Sequence, residues 1–279
     1  MTSQWHEIGD RVFVRRYRVF DQNIVAVLDR GEALVVDTRS TIPHGLEILD
    51  DLRALGSPRV AFVVNTHGHF DHAFGNTAFR PAVVWGHERC VPMLEGAWAA
   101  RQRVHAAELL PDLAADLLAV ELDPPTRLFA TAARVEIGGR EVLLDYLGRG
   151  HTDNDIILRV PDADVLCAGD LLENGATPSF GDAYPLDWPS TAAALVELVD
   201  SATVVVPGHG DHAGREFALS QAAEFAALAE LARLVHAGVV PLVDAPAMAP
   251  YPAADAVLPL ERAQAQLRGE LEDGVDRDG

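Results

Sequence analysis

The sequence predicts an α+β fold, and three observations carry that reading. Short apolar runs separated by tight turns occupy the chain up to about residue 90, an Ala- and Leu-rich helical stretch follows at about 90–134, and strands then alternate with longer helices. With 279 residues, 49% of them hydrophobic and 23% charged, the chain can bury a large core. Val12-Phe13-Val14 and Asn23 to Leu28 read as strands, and Asp29-Arg30-Gly31-Glu32 as a hairpin turn into Ala33 to Asp37. Leu46, Leu49, Leu52 and Leu55 recur every third residue, which predicts a helix from Gly45 to Leu55 that Gly56 stops. Val60 to Val64 is a continuous apolar strand and Val83 to Gly86 a shorter one. Pro111, Pro124 and Pro125 punctuate the helical stretch, which is the best candidate for an insertion bordering a site. Strands resume at Arg134 to Ile137, Glu141 to Leu147, Asp155 to Val160 and Asp164 to Ala168. Helices over Pro189 to Asp200 and Glu216 to His236 then flank a strand at Thr203 to Val206. Residues 1–243 therefore read as the main domain, and 244–279 as a Pro/Ala-rich segment, a short helix and an acidic tail.

Charge narrows the class of partner. Acidic residues outnumber basic ones 42 to 22, a formal net charge of -20, and no basic run opposes that field. Such a surface repels phosphate backbones and anionic membranes, so a small-molecule substrate is expected, with no nucleic acid and no membrane partner. No run approaches the ~18 apolar residues of a membrane span, and the first residues lack the basic and apolar regions of a signal peptide. Cys90 and Cys167 do not make a disulfide framework, which fits a reducing, cytoplasmic setting.

The chemistry is concentrated in Asn65-Thr66-His67-Gly68-His69-Phe70-Asp71-His72, where a buried strand runs out into a loop. Three imidazoles and a carboxylate within six residues are the donors that borderline cations such as zinc prefer. His67 and His69, two apart on an extended loop with Gly68 letting the backbone turn, can share one ion, while Asp71 and His72 face a second position. Downstream, His151 in Gly-His-Thr would complete a three-histidine site. Asp170 in Ala-Gly-Asp offers two oxygens to bridge two ions, and His209 in Pro-Gly-His-Gly would finish the second site. Taken singly, His151 and His209 read as loop histidines and Asp170 as a turn or cap residue; the set is what points to metal. Asp37, at a strand end, either braces a ligand or caps a turn.

These segments, His-x-His-x-Asp-His at 67–72, Gly-His-Thr at 150–152, Ala-Gly-Asp at 168–170 and Pro-Gly-His-Gly at 207–210, with Val35 to Thr38 before them, resemble the metallo-β-lactamase superfamily in order and spacing. The resemblance spans about Val12 to Gly210. It implies an αββα sandwich of two mixed sheets flanked by helices, with a dinuclear site at one edge. It further implies His67, His69 and His151 on one metal, Asp71, His72 and His209 on the other, and Asp170 bridging. The cofactor it implies is zinc, two per chain, with iron or manganese as the other candidates. The activity it implies is hydrolysis, in which a metal-bridging hydroxide attacks an ester, lactone, thioester or amide carbonyl and Asp71 orients the nucleophile or passes its proton.

Departures from the superfamily's branches trim the list. The chain has no large extra nuclease domain and no flavodoxin domain, and His69 is intact. Many β-lactamases carry a cysteine where Asp170 stands and a lysine nearby. Here Glu173 and Asn174 follow instead, leaving Arg39 or Arg149 to anchor an anion. Tyr184 is the available stand-in for the tyrosine of quorum lactonases. Residues 173–184 are expected to form a loop beside the metals, with Trp98, Phe129, Tyr184 and Trp188 as candidate wall residues of a partly hydrophobic pocket, Trp98 and Trp188 fitting the core equally well. Two other classes stay open: a mononuclear iron dioxygenase of the persulfide dioxygenase type, and a non-catalytic metal-binding protein.

Overall fold

The computed structural model describes residues 4–271. The strands are β1 (His6–Gly9), β2 (Val12–Tyr17), β3 (Gln22–Asp29), β4 (Glu32–Val36), β5 (Arg59–Val64), β6 (Val83–His87), β7 (Arg127–Phe129), β8 (Ala132–Ile137), β9 (Arg140–Tyr146), β10 (Ile156–Val160), β11 (Val165–Glu173) and β12 (Val204–His209). They run in hydrogen-bonded order β7-β6-β5-β4-β3-β12-β11-β10-β9-β8, with β2 beside β3 and β1 on β2. Strands β4 to β7 are mutually parallel, as are β11 and β12, and the remaining pairs are antiparallel. The two halves of the sheet meet between β3 and β12 through one register pair, His209 opposite Gln22.

Side-chain alternation then dictates the layering. Val25 and Val27 on β3 and Leu34 and Val36 on β4 join Val135, Val142, Leu144, Ile156 and Leu158 of the other half in one buried cluster, so the sheet folds back upon itself. The intervening Ile24, Ala26 and Val35 face the opposite way, against Ile48 of helix α1 (Ile42–Asp51) and Leu52, which follows it. In the second half, Ile157, Leu166 and Ala168 face outward onto α6 (Trp188–Glu197) and α7 (Arg215–His236). Both faces of each half-sheet are covered, which is why the strands read as near-continuous apolar runs. Each Val, Leu or Ile so buried contributes ~1.5–3 kcal/mol, and the result is the layered helix–sheet–sheet–helix sandwich.

Several boundaries differ from the periodicity. Helix α1 begins at Ile42, because Thr41 accepts a hydrogen bond from His44 N and Pro43 suits the first turn. Within the stretch expected to be helical, α3 (Cys90–Met93), α4 (Gly96–Leu109) and α5 (Ala114–Ala119) follow the short α2 (Phe70–Ala73), and helix ends at Ala119. Pro124 and Pro125 keep the chain extended into the edge strand β7, whose three residues give too little pattern to read. Strand β12 continues through Pro207 to His209. Beyond α7, Ala245, Tyr251 and Ala256, with Leu260 and Ala263 of α8 (Val257–Leu267), are buried in the same cluster as Trp188 and Phe225. The part of the acidic tail after residue 271 lies outside the described residues. No helix among the described residues is long and apolar enough to cross a membrane.

Candidate metal centre

The chain turns at one edge of the sandwich bring every predicted donor to one place. His67 and His69 sit on the loop after β5, Asp71 and His72 in α2, His151 between β9 and β10, Asp170 in β11 and His209 at the end of β12. Three overlapping groups have donor atoms close enough to hold a metal ion: His67, His69 and His151; Asp71, His72 and His209; and His67, His72 and Asp170. In the first, His69 Nδ1 lies 3.0 Å from His67 Nε2 and 2.9 Å from His151 Nε2. In the second, His72 Nε2 and His209 Nε2 are 3.3 Å apart, and Asp71 Oδ2 is 3.5 Å from each. Asp170 lies between the two, its Oδ2 3.3 Å from His209 Nε2 and 3.5 Å from His151 Nε2. Neighbouring ligands of a tetrahedral zinc with Zn–N of ~2.0–2.1 Å stand ~3.3 Å apart, so the donor set fits such an ion.

The outward-facing nitrogens decide what the inward ones present. His72 Nδ1 is 2.8 Å from Asp37 Oδ2, His151 Nδ1 is 3.0 Å from the Ser179 carbonyl and His209 Nδ1 is 2.7 Å from the Phe20 carbonyl. His69 Nε2 is 2.9 Å from Asp182 Oδ2, and His67 Nδ1 is 3.2 Å from Thr66 Oγ1, which itself donates to Asp37 Oδ2. Each acceptor holds the proton on the far side of its ring. Five lone pairs therefore converge in overlapping groups whose donor atoms lie within 4.8 Å of one another, and Asp170 Oδ1, buried with no hydrogen bond of its own, lies 3.3 Å from His72 Nε2. Only cations, protons or metals, can reconcile these groups.

Electrostatics show that competition. Burial pushes His67 and His151 below their ordinary range. Burial also opposes charge on His72 and His209, yet the Asp170 and Asp71 carboxylates hold both up, His209 at about 9. Asp170 is correspondingly held well below the usual carboxylate range against its burial, by His72 and His209. His69, likewise buried, is raised to about 9 by Asp182, and Asp182 is held down at about 2. A divalent cation would compete with protons for the same lone pairs, so metal uptake here would release protons.

Local chemistry explains the loop. Asp37, 2% exposed, accepts from Thr66 N and Thr66 Oγ1 at 2.8 Å each as well as facing His72, so it braces both the loop backbone and a ring. Gly68 serves close approach rather than a turn: a Cβ there would lie 2.8 Å from Met93 Cβ, and its N–H donates to Asn154 Oδ1 at 2.9 Å. Asp182 and Asn154 escaped the sequence reading. Asp182 sits in a loop without pattern, whereas the buried polar run Thr152-Asp153-Asn154-Asp155 directly after His151 carried a usable signal.

A cavity of about 560 Å³ opens over these groups, walled by α4 and by the loop after β11 through Glu173, Ser179, Gly181 and Asp182. Of the four expected wall residues only Trp98 lines it. Trp188 is wholly buried, stacked on Phe225 at 4.3 Å with its N–H donated to the Leu171 carbonyl. Phe129 packs inside the sandwich, and Tyr184 lies buried under Arg149. Neither expected anion anchor reaches the cavity, because Arg39 is buried against Tyr17 and pairs with Glu47, and Arg149 pairs with Asp187. His105, which has no motif around it, does line the cavity.

A family model of the metallo-beta-lactamase superfamily matches residues 17–230, and the chain belongs to that superfamily. Among relatives, it is 26% identical over 188 residues to a metallo-beta-lactamase type 2 of Bacillus sp. (strain 170), covering 66% of this chain and 65% of that one. It is 28% identical over 234 residues to the acyl-coenzyme A thioesterase MBLAC2 of Gallus gallus, covering 75% of this chain and 81% of that one. The chain thus spans just under two thirds of the length of the Bacillus enzyme. Among solved structures, a metallo-beta-lactamase from Pontibacter korlensis shares the fold with a TM-score of 0.62 at 21% identity, over 80% of this chain and 98% of that one. FIM-1 from Pseudomonas aeruginosa, in a mono-zinc form, gives 0.60 at 20% identity, over 81% and 96%.

Proposed function

We propose that this chain is a zinc-dependent hydrolase of small molecules that cleaves an ester, lactone, thioester or amide at a dinuclear site. The observation that carries the reading is the convergence of five imidazole lone pairs with Asp71 and Asp170, each ring held by its own outward acceptor. His67, His69 and His151 would hold one ion, Asp71, His72 and His209 the second, and Asp170 both. When bound, two such cations supply a water ionised near neutral pH and positive charge for a developing oxyanion. The protein's own part is to orient and exclude. Asp71 lines the cavity with Oδ2 turned to the second group, which leaves Oδ1 to align the attacking water and take its proton. Trp98 and Phe70 give the cavity apolar wall beside these groups. Similarity to a chicken acyl-coenzyme A thioesterase favours a thioester among the four bonds. Residues 1–243 would form the catalytic unit, braced by the segment that follows, and two buried unpaired thiols suit the cytoplasm.

A mononuclear iron dioxygenase would not need the second group, and the intact trio of Asp71, His72 and His209 argues against it. Metal analysis separates the two readings: two zinc equivalents per chain support hydrolysis and one iron supports oxygenation. His69→Ala and Asp71→Ala should each lower turnover of an activated ester, lactone or thioester by at least ~10²-fold with the fold intact. Activity that persists in a chelator-treated preparation would refute the proposal.

A further inference from the structure

We propose that helix α4 reads the substrate, and that Arg101 together with the indole N–H of Trp98 binds an anionic oxygen group, a carboxylate or a phosphate, carried away from the scissile carbonyl. The inference rests on the hydrolase reading and adds the substrate class. Trp98, Arg101, Gln102, His105 and Leu109 all line the cavity. Their spacing of three, one, three and four residues puts them on a single face of α4. The stripe that α4 packs inward is Ala99, Gln102 and Ala106. The cavity face beside it carries exposed Arg101 and His105 between Trp98 and Leu109.

The polar groups on that face are tied to the site but left with capacity to bind. Gln102, 6% exposed, donates from Nε2 to the carbonyls of Gly68 at 3.1 Å and Met93 at 2.7 Å, which fixes α4 in register with the metal loop. Its Oε1 and the Trp98 Nε1 are both buried with no hydrogen-bond partner. A buried polar atom without a partner costs about 1–3 kcal/mol, and for the Trp98 N–H a ligand oxygen would supply the missing acceptor. Arg101 stacks on the Trp98 ring at 5.0 Å and forms no ion pair among the described residues. That is notable in a chain whose 22 basic residues are all arginine against 42 acids, because most of the other arginines have found a carboxylate. The acids around the cavity are otherwise engaged: Asp182 faces His69, and Glu173 accepts from Ser179 N. Among the described residues Arg101 is the one Arg or Lys lining the cavity, so it brings a permanent positive charge, beside the unpartnered Trp98 N–H, to an opening that Phe20, Phe70 and Leu109 wall in part.

The test uses matched thioesters on the zinc-loaded full chain. Butyryl- against glutaryl-N-acetylcysteamine isolates a carboxylate, and S-butyryl-pantetheine against its 4′-phosphate isolates a phosphate. Loss of one charge-assisted contact predicts that Arg101→Gln raises KM about tenfold for the anionic member of at least one pair, leaves kcat and the neutral members within about twofold, and is partly rescued by Arg101→Lys. Trp98→Phe should act in the same direction with a smaller shift. The pair that responds identifies the group. Equal effects on charged and neutral members, or none, would mean Arg101 is a solvated surface arginine and overturn the proposal. If the wild-type protein hydrolyses none of the four, the hydrolase reading fails separately, and calorimetric titration with glutarate and phosphopantetheine decides the point: affinities unchanged by Arg101→Gln overturn it.

Discussion

Replacing Asp37 by Asn removes one charge and no volume, and it should weaken metal binding at the second position before it unfolds the protein. Asp37 Oδ1 accepts from Thr66 N, and Oδ2 accepts from both Thr66 Oγ1 and His72 Nδ1, all at 2.8 Å. An amide keeps the first bond but turns an NH₂ toward His72, so two donors would face each other. The imidazole escapes by moving its proton to Nε2, the nitrogen aimed at Asp71, Asp170 and His209. Loss of such an outer partner lowers metal affinity about 10–100-fold, or ~1.4–2.7 kcal/mol. At zinc near 1,000 times Kd, binding stabilises a protein by ~4.1 kcal/mol, so a large part of that increment would vanish. For a chain of this size each kcal/mol moves Tm by ~2–4 °C, which predicts a fall of about 3–10 °C in the difference between zinc and chelator melts. Taking that difference cancels the cost of disturbed hydrogen bonds, which appears in both melts. Competition against a chelating dye gives the affinity directly. A variant with the wild-type zinc affinity and the wild-type melting increment would refute the reasoning.

Two other perturbations probe the site and the fold independently. A Cβ on Gly208 would lie 1.8 Å from Asp170 Oδ1, so Gly208→Ala should displace that carboxylate and lower zinc stoichiometry or affinity at least ~10-fold while circular dichroism stays native, and full retention of two equivalents would count against the placement of Asp170. His44 is pushed down to about 4 by burial and then by the Arg39 charge, so the unfolded chain takes up a proton near pH 6.5 where the folded one does not. Stability is untouched above pH 6.5 from this source, is lost as pH falls toward 4, and changes no further below; His44→Gln should therefore flatten the fall of Tm between pH 7 and 4.5, and parallel curves would exclude the effect.

What was legible in the sequence divides along a physical line. The seven donors could be read because an ion needs specific atoms, and those atoms come as short motifs at strand ends. Strands β3, β4 and β5 could be read because continuous apolar runs have one natural explanation, burial on both faces. Strand β7 and the ends of β11 and β12 could not, since edge pairing and a strand carried through Gly169 and Pro207 leave little trace in pattern. Asp182 and Asn154 were missed for a related reason: supporting hydrogen bonds depend on which loops meet, and that is decided by the whole fold. The wall residues failed most clearly. Trp188, offered as wall or core, is the largest fully buried side chain, and Phe129, expected at the cavity, is buried inside the sandwich, because the area that suits an aromatic ring to a pocket suits it equally to a core. Arg101 and His105 carried no motif and emerged only when α4 was seen in place.

The position of the metal donors also bears on how the sandwich holds together. Strand pairing between the halves rests on one register pair, His209 opposite Gln22, supplemented by backbone bonds from Gly210 N to the Asp21 carbonyl at 2.9 Å and from Ile156 N to the Thr66 carbonyl at 2.8 Å. Side chains at the site reinforce it: His209 Nδ1 reaches the Phe20 carbonyl, and Asn23 Nδ2 donates to the carbonyls of Pro207 and Gly210. Within each donor group, ligands come from both sides of that seam, Asp71 and His72 from one half and His209 from the other, His67 and His69 from one and His151 from the other. A cation held by either group therefore ties the two halves together, and the free energy of binding it becomes free energy of keeping the sandwich closed. With a cation bound, the same coupling would let the fold bury so many mutually repelling polar groups at its edge, because the charge that would make them reactive would also make them compatible.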